Sequence, residues 1–417
     1  MKPKVLIICF TFPPYPGIGG RRWAKFAKYL SRKGCDVRVL AARKKEEQDS
    51  QWLNDIAPYQ NNIFYIPTAY PLILTLVPEG ILQKIHYRLA LIYVRIFIKG
   101  NYYDHASGWK KHIVKSTEAA IREGYRNIIV SCGPFSTAAF IAELKPKYPE
   151  LNFMLDLRDP WTTNQTSFGY SGLSPERMAI EKVKEKFSAE TYNYVMTVSD
   201  EMTDYFYTIS GRNDKEHFFT LINGFDADDF AEETNEQRSD GKLRFVFTGT
   251  LYNKSMHIFK EFCDILRELE KENAQVFNAL RFDFYGTVPS SFFEMCDNLN
   301  NVRFHGTLSM QKVYSEIRNS DIAMLFLTDD LNYSFSTKFY EYISQKIPIA
   351  VFSREGNTGQ FVVEQRLGYA CFSGQLKASI LNMHSDWSEG HLVFSPAFDT
   401  SAFSVEKLSE AILERLV

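Results

Sequence analysis

Short apolar runs and amphipathic stretches alternate along this chain, and the alternation occurs twice. The first run, Val5 to Phe10, leads into residues Trp23, Phe26, Ala27 and Leu30 at helical spacing, closed by Gly34, and then into a second strand from Val37 to Leu40. The runs NIIVS (127–131), FMLDL (153–157) and YVMTVS (194–199) follow, each trailed by a helical pattern. Ser174 before Pro175, and Ser199 before Asp200 and Glu201, are helix-start signals. The polar stretch DADDFAEETNEQRSDGK (226–242) has neither period. After it the alternation resumes with LRFVF (243–247), LRFDFY (280–285), NVRFH (301–305), DIAMLFL (321–327) and PIAVF (348–352). Strand and helix in alternation mean parallel strands with crossover helices, so the repetition predicts an α/β protein of two doubly wound domains facing each other across a cleft. The expected bounds are 1–230, a linker at 231–242, 243–400, and a terminal helical segment, 401–417, packing back on the first domain.

Length agrees with this division, since 417 residues exceed one ordinary core and suit two. With 45% apolar and 24% charged residues the composition is that of a globular protein, and 34 Phe with 23 Tyr predict an aromatic interior. The six cysteines, at 9, 35, 132, 263, 296 and 371, form no C-x-x-C pair or repeated spacing. Neither a zinc site nor a disulfide framework is therefore expected, and a reducing, cytoplasmic setting fits best. The opening MKPKVLIICF is expected to be a buried strand rather than a secretory leader, because its apolar run is short and meets Pro-Pro instead of a cleavage site. No run of 18 apolar residues predicts a membrane span.

A net charge of -2 conceals an asymmetry. Residues 1–158 hold 24 basic against 12 acidic side chains, whereas the remainder holds 24 against 38. The front half is thus suited to an anionic partner. Within it, PEGILQKIHYRLALIYVRIFIKG (78–100) sets Lys84, Arg88, Arg95 and Lys99 opposite Leu82, Ile85, Leu89, Tyr93 and Ile96. Two readings stand: a helix resting on an anionic membrane surface, or an ordinary helix with its apolar side on the core and its cations in water. A nucleic-acid partner is not expected.

The loop FTFPPYPGIGGRRW joins the first strand to the first helix. Proline and glycine there suit close backbone approach, and a helix start with Arg21 and Arg22 suits a phosphate. A dinucleotide fingerprint is excluded, because Arg22 stands where G-x-G-x-x-G needs its third glycine and no acid follows the second strand. Three later strands end alike, in TGTL (248–251), YGTV (285–288) and HGTL (305–308), which marks one sheet edge as a ligand edge. No G-x-S-x-G, H-E-x-x-H or Walker motif occurs.

At this level of detail FTFPPYPGIGGRRWAKFAKYLSRKGCDVRVL resembles the opening of the family 4 (group 1) glycosyltransferases of the GT-B fold. IIVSCGPFSTAAF at Ile128, DLRDPW at Asp156, VMTVSDEM at Val195, LINGFDADDF at Leu221, FVFTGTLYNKS at Phe245 and STKFYEYISQKIPIAVF at Ser336 continue it in order. The resemblance implies transfer of a sugar from a nucleoside-diphosphate donor to a glycan or lipid-linked acceptor in cell-surface polysaccharide assembly, with retention. It implies no metal, since fixed cations take its place at the diphosphate. A sugar-nucleotide epimerase, or a GT-B binding subunit with a defective site, are the rival readings.

The residues that carry the expected chemistry are Lys254 and Lys338 as phosphate-binding cations, with Ser336 and Thr337 opening the helix that holds Lys338. Glu341 matches the family glutamate on the donor ribose. Gly19, Gly20, Arg21, Gly249, Thr250, Tyr285, Gly286, His305 and Gly306 are expected around the donor, His305 near the base. Asp159 is expected to orient the acceptor hydroxyl and Arg158 to hold an anionic group. Many family members carry a second glutamate eight residues before the first, and here that position is Tyr333, with Asp329 and Asp330 nearby.

Overall fold

The computed structural model describes residues 2–15, 18–43, 50, 52–164, 169–230, 240–328 and 334–417. Pro16, Gly17, most of the expected linker, and Asp329, Asp330 and Tyr333 lie outside the described residues. The chain forms two compact units, Met1–Ile222 with Leu408–Val417, and Asn223–Lys407.

Unit 1 is built on seven parallel strands: β1 (Lys4–Cys9), β2 (Asp36–Ala42), β3 (Ile63–Ile66), β4 (Asn127–Cys132), β5 (Asn152–Leu157), β6 (Tyr194–Thr197) and β7 (Phe218–Thr220), in the order 3-2-1-4-5-6-7. Unit 2 has six, β8 (Leu243–Thr250), β9 (Leu280–Thr287), β10 (Val302–Gly306), β11 (Ile322–Phe326), β12 (Ile349–Ser353) and β13 (Gly368–Phe372), in the order 10-9-8-11-12-13. Each sheet reverses its winding once, between β1 and β4 and between β8 and β11. Such a reversal opens a crevice beyond the carboxyl ends of the two strands, where ligands of doubly wound sheets bind.

Central strands run apolar on both faces because helices cover both. Every residue of β4 and β5 is buried, as is every residue of β11 and β12. The core of unit 2 is a phenylalanine lattice in which Phe245 stacks on Phe282 at 4.6 Å and Phe326 on Phe352 at 4.6 Å, with Phe262 edge-on to both pairs.

Among the helices are α1 (Ile18–Arg32), α2 (Gly80–Phe97), α3 (Pro175–Thr191), α4 (Asp200–Ser210), α5 (Met256–Glu272), α6 (Thr337–Ser344) and α7 (Val405–Leu413). Gly34 ends the turn after α1 at φ +94. The Ser199 hydroxyl accepts from Met202 N at the start of α4, as its sequence pattern predicts, whereas Ser174 holds the N-cap position of α3 without a side-chain cap bond. The chain end is fastened to unit 1: Asn127 Nδ2 donates to the Val417 carbonyl at 3.0 Å and Asn152 Nδ2 to that of Arg415 at 2.7 Å. All six cysteines are buried free thiols, with Cys263 and Cys296 sulfurs 3.4 Å apart. Among the described residues no helix is long and apolar enough to cross a membrane.

Candidate functional site

The crevice of unit 2 brings several of the expected donor residues together. β8 ends in Gly249 and Thr250, and Lys254 follows, itself exposed, in the turn Asn253–Ser255 that leads into α5. α6 begins in the loop after β11, with the Ser336 hydroxyl accepting from Phe339 N at 3.3 Å. Lys338, in its first turn, reaches back across the strand end, so that a Cβ on Gly249 would stand 3.2 Å from the Lys338 Cε. Its Nζ donates to Glu341 Oε2 at 2.8 Å, and Glu341 is only 1% exposed. The pair is therefore not the solvated surface pair that i, i+3 spacing alone describes. Tyr342, which the sequence did not single out, locks the helix to the strand: Thr248 N donates to its hydroxyl at 3.1 Å. Its placement one residue after Glu341 on the buried side of α6 was the available signal.

The three strand-end glycines have three different surroundings. Gly249 and Gly286 are register partners across β8 and β9, at φ +129 and +124, and a Cβ on Gly286 would overlap the Gly249 carbonyl oxygen. Gly286 is thus required by close strand contact rather than by ligand clearance. Gly306, at φ +72, faces open space and shares its register with Tyr285. The Tyr285 ring is stacked on His305 at 4.5 Å, while its hydroxyl donates to Glu316 Oε2 at 2.9 Å. Burial and the Glu316 carboxylate push that phenol up, which keeps it a donor. His305 Nε2 lies 2.7 Å from Asp283 Oδ1, and Arg281 holds the same carboxylate at 2.7 Å. The ring is therefore fixed through Asp283 by a chain of hydrogen bonds at the strand edge, with 31% of it exposed.

The edge of unit 1 corrects one expectation. Arg22 does not add free charge at the start of α1. It is bound to Asp156 of β5 at 2.8 Å, with side chains 2% and 0% exposed, and donates further to the Leu221 and Ile222 carbonyls at 2.6 and 2.8 Å. Asp156 also accepts from Trp23 Nε1 at 2.6 Å and Ser131 Oγ at 3.1 Å. A buried carboxylate needs this many donors, so the arginine is internal structure. Arg21 is buried too, its guanidinium over the Trp52 ring at 5.2 Å. Lys25 and Lys28 pair with buried Asp55 at 2.9 and 3.1 Å, so part of the front half's positive surplus is spent inside.

Gly20 is a packing glycine, since a Cβ there would meet Phe12 Cα at 3.1 Å; Gly19 is less confined. Arg158, beyond the end of β5, donates Nη1 to the Gly19 carbonyl at 2.9 Å and bridges towards the Cys132 carbonyl at 3.5 Å. It thereby spans the carboxyl ends of β4 and β5 and the first turn of α1. Asp159 follows it, partly buried.

Near this edge Asp104 accepts from Ser136 N at 2.8 Å and Ala106 N at 2.9 Å. Burial raises its carboxyl from 3.8 to about 6, in spite of those donors. A raised carboxyl favours the folded state below its unfolded value, and that contribution is lost as pH rises towards 6. The unfolding free energy of wild type relative to Asp104→Asn, from urea titrations, is expected to fall by roughly 2–3 kcal/mol between pH 4 and pH 7. A pH-independent difference would mean that Asp104 titrates normally.

The basic-and-apolar segment also departs from its expected form. α2 ends at Phe97, so Lys99 lies beyond it, because Ile98 is extended at φ -95, ψ 121. The Arg177 guanidinium takes the Arg95, Ile98 and Gly100 carbonyls, and a Cβ on Gly100 would overlap Glu181. Only Ala90 and Val94 of α2 are buried, and Val94 packs in a small cluster with Tyr70 and Tyr102. Leu82, Ile85, Leu89, Tyr93 and Ile96 are all exposed, so the apolar side does not rest on the core. Lys84, Arg88 and Arg95 are exposed beside them.

No protein-family model and no curated protein sequence matches the chain. Solved structures do. The lipopolysaccharide outer core galactosyltransferase WaaB, in its apo form, superposes with a TM-score of 0.56 at 12% identity, covering 99% of this chain and 98% of that one. A candidate UDP-N-acetylglucosamine 2-epimerase of Listeria monocytogenes gives 0.55 at 11% identity over 99% and 95%. The N-terminal domain of trehalose-6-phosphate phosphatase from Candida albicans gives 0.57 at 12% identity over 99% and 94%. The two wound sheets, with thirteen strands among the described residues in the order given, have the GT-B fold.

Proposed function

We propose that this protein is a nucleotide-sugar enzyme, and specifically a glycosyltransferase that moves a sugar from a nucleoside diphosphate to a glycan or lipid-linked acceptor. Family 4, and retention of configuration with it, belong to the same proposal. The donor diphosphate would lie at the β8/β11 crevice of unit 2, and the acceptor at the edge of unit 1 that carries Arg158 and Asp159. One observation supports this most: Lys338 folds over Gly249 at the switch point of unit 2, at the capped start of α6. A fixed cation and free backbone N–H groups there suit a phosphate, and breaking the bond to a diphosphate leaving group needs positive charge already in place. Glu341, buried below Lys338, would accept from ribose hydroxyls once the lysine turned to phosphate.

The experiment is calorimetric titration of the full chain with UDP-, GDP-, ADP-, dTDP- and CDP-sugars, repeated on Lys254→Ala and Lys338→Ala. Each charge-assisted bond removed is expected to cost about 1.5–3 kcal/mol, a weakening on the order of ten- to hundredfold. Lys254 is the cleaner of the two, being exposed, whereas Lys338→Ala also removes an ion-pair partner of the buried Glu341. Absence of binding by any donor, or affinities unchanged in both variants, overturns the assignment. The epimerase reading rests on the Listeria structure's likeness in fold, and it is separated by product formed without any acceptor.

A further inference from the structure

We infer that the outward face of α2 is a docking surface for an anionic lipid bilayer. This does not depend on the nucleotide-sugar reading. At 100° per residue the helix divides into three arcs. The packed arc, about 100° wide, holds Tyr87, Ala90, Leu91 and Val94. The opposite arc, about 160° wide, carries Ile81, Leu82, Ile85, Leu89, Ile92, Tyr93, Ile96 and Phe97, broken only by His86. All eight are exposed, Leu82 at 83% and Ile81 at 79%, and Leu72, Leu76 and Val77 of the preceding segment extend the patch. A contiguous apolar surface of this size marks an interaction site. The third arc, between the two along one side, bears Lys84, Arg88 and Arg95 within about 40°.

Charge selects the occupant. From Gly80 to Tyr103 there is no Asp or Glu, so a second copy laid on this face would bring basic rims together with nothing on either helix to pair them. Anionic headgroups pair with such a rim while acyl chains take the apolar arc, and the long Lys and Arg stems let the charges stay at headgroup level. The helix is too short and too charged to span, in keeping with a helix lying in the interface plane.

The test is co-sedimentation of the full chain with vesicles of phosphatidylglycerol mixed with phosphatidylcholine, and with phosphatidylcholine alone, at low and high salt. Wild type is expected to bind the anionic vesicles and to be released by salt. Each cation near an anionic surface strengthens binding about fivefold, so Lys84→Gln/Arg88→Gln should weaken it about thirtyfold. Leu82→Ser/Leu89→Ser should abolish it, with an unchanged circular dichroism spectrum, since both positions are exposed. The inference is overturned if wild type stays in the supernatant at low salt, or if neither variant changes its partition. It is equally overturned by a stable homodimer that Leu82→Ser/Leu89→Ser converts to monomer, because the face would then belong to a second copy. Donor binding, measured separately, is unaffected by any of these outcomes.

Discussion

Asp156→Ala is expected to destabilise unit 1 by about 3–5 kcal/mol in urea unfolding followed by tryptophan fluorescence. The loss does not equal the strength of one ion pair. With the carboxylate gone, the Arg22 guanidinium stays buried at the centre of the unit, and Trp23 Nε1 and Ser131 Oγ lose their acceptor as well. Burial of the arginine without this carboxylate dominates, because the Leu221 and Ile222 carbonyls that it also donates to carry no full charge. Arg22→Met/Asp156→Leu removes both charges together and should recover most of the loss, leaving about 1 kcal/mol for each orphaned donor. A single variant within about 1 kcal/mol of wild type would show that water reaches the site and solvates the arginine.

Gly286→Ala is expected to cost about 4 kcal/mol, by the same unfolding measurement on unit 2. The left-handed backbone at φ +124 accounts for about 1–3 kcal/mol of this, and the overlap of the new Cβ with the Gly249 carbonyl for a similar amount. Gly249→Ala should cost less, as its new methyl meets only the flexible Lys338 stem, and Gly306→Ala least, as its methyl enters open space. The sequence repeats Gly-Thr three times, yet the three sites obey different physics. Equal losses at all three would refute the strand-contact explanation. Displacing Gly249 also displaces the seat of Lys338, so donor affinity should fall with stability in Gly286→Ala.

Much of the architecture was legible because buried parallel strands read as apolar runs wherever helices cover both faces. β1, β4, β5, β8, β9, β11 and β12 are of this kind. β3, β7 and β13 were not legible: they are short edge strands with partly exposed residues, and GYACF in β13 has neither a period nor branched side chains. At the candidate site, the N-cap at Ser336 and the Lys338–Glu341 spacing were readable because they are local. The fate of Arg22 was not, because its partner lies 134 residues away, and nothing in GIGGRR tells an arginine facing phosphate from one facing Asp156. The end of α2 was hidden for the same reason. An arginine on another helix takes the carbonyls of Ile98 and Gly100, just past the helix end.

That arginine has a mechanical consequence. Arg177 and Lys184, both on α3, grip the carbonyls that follow α2, while Asn101 N donates to buried Glu181 at 2.9 Å. An isolated amphipathic peptide rolls freely about its own axis; this one is clamped at its trailing end and cannot. Any surface that engages its outer face therefore seizes the whole sheet of unit 1 in one attitude, fixing which way the open ends of β1 and β4 point.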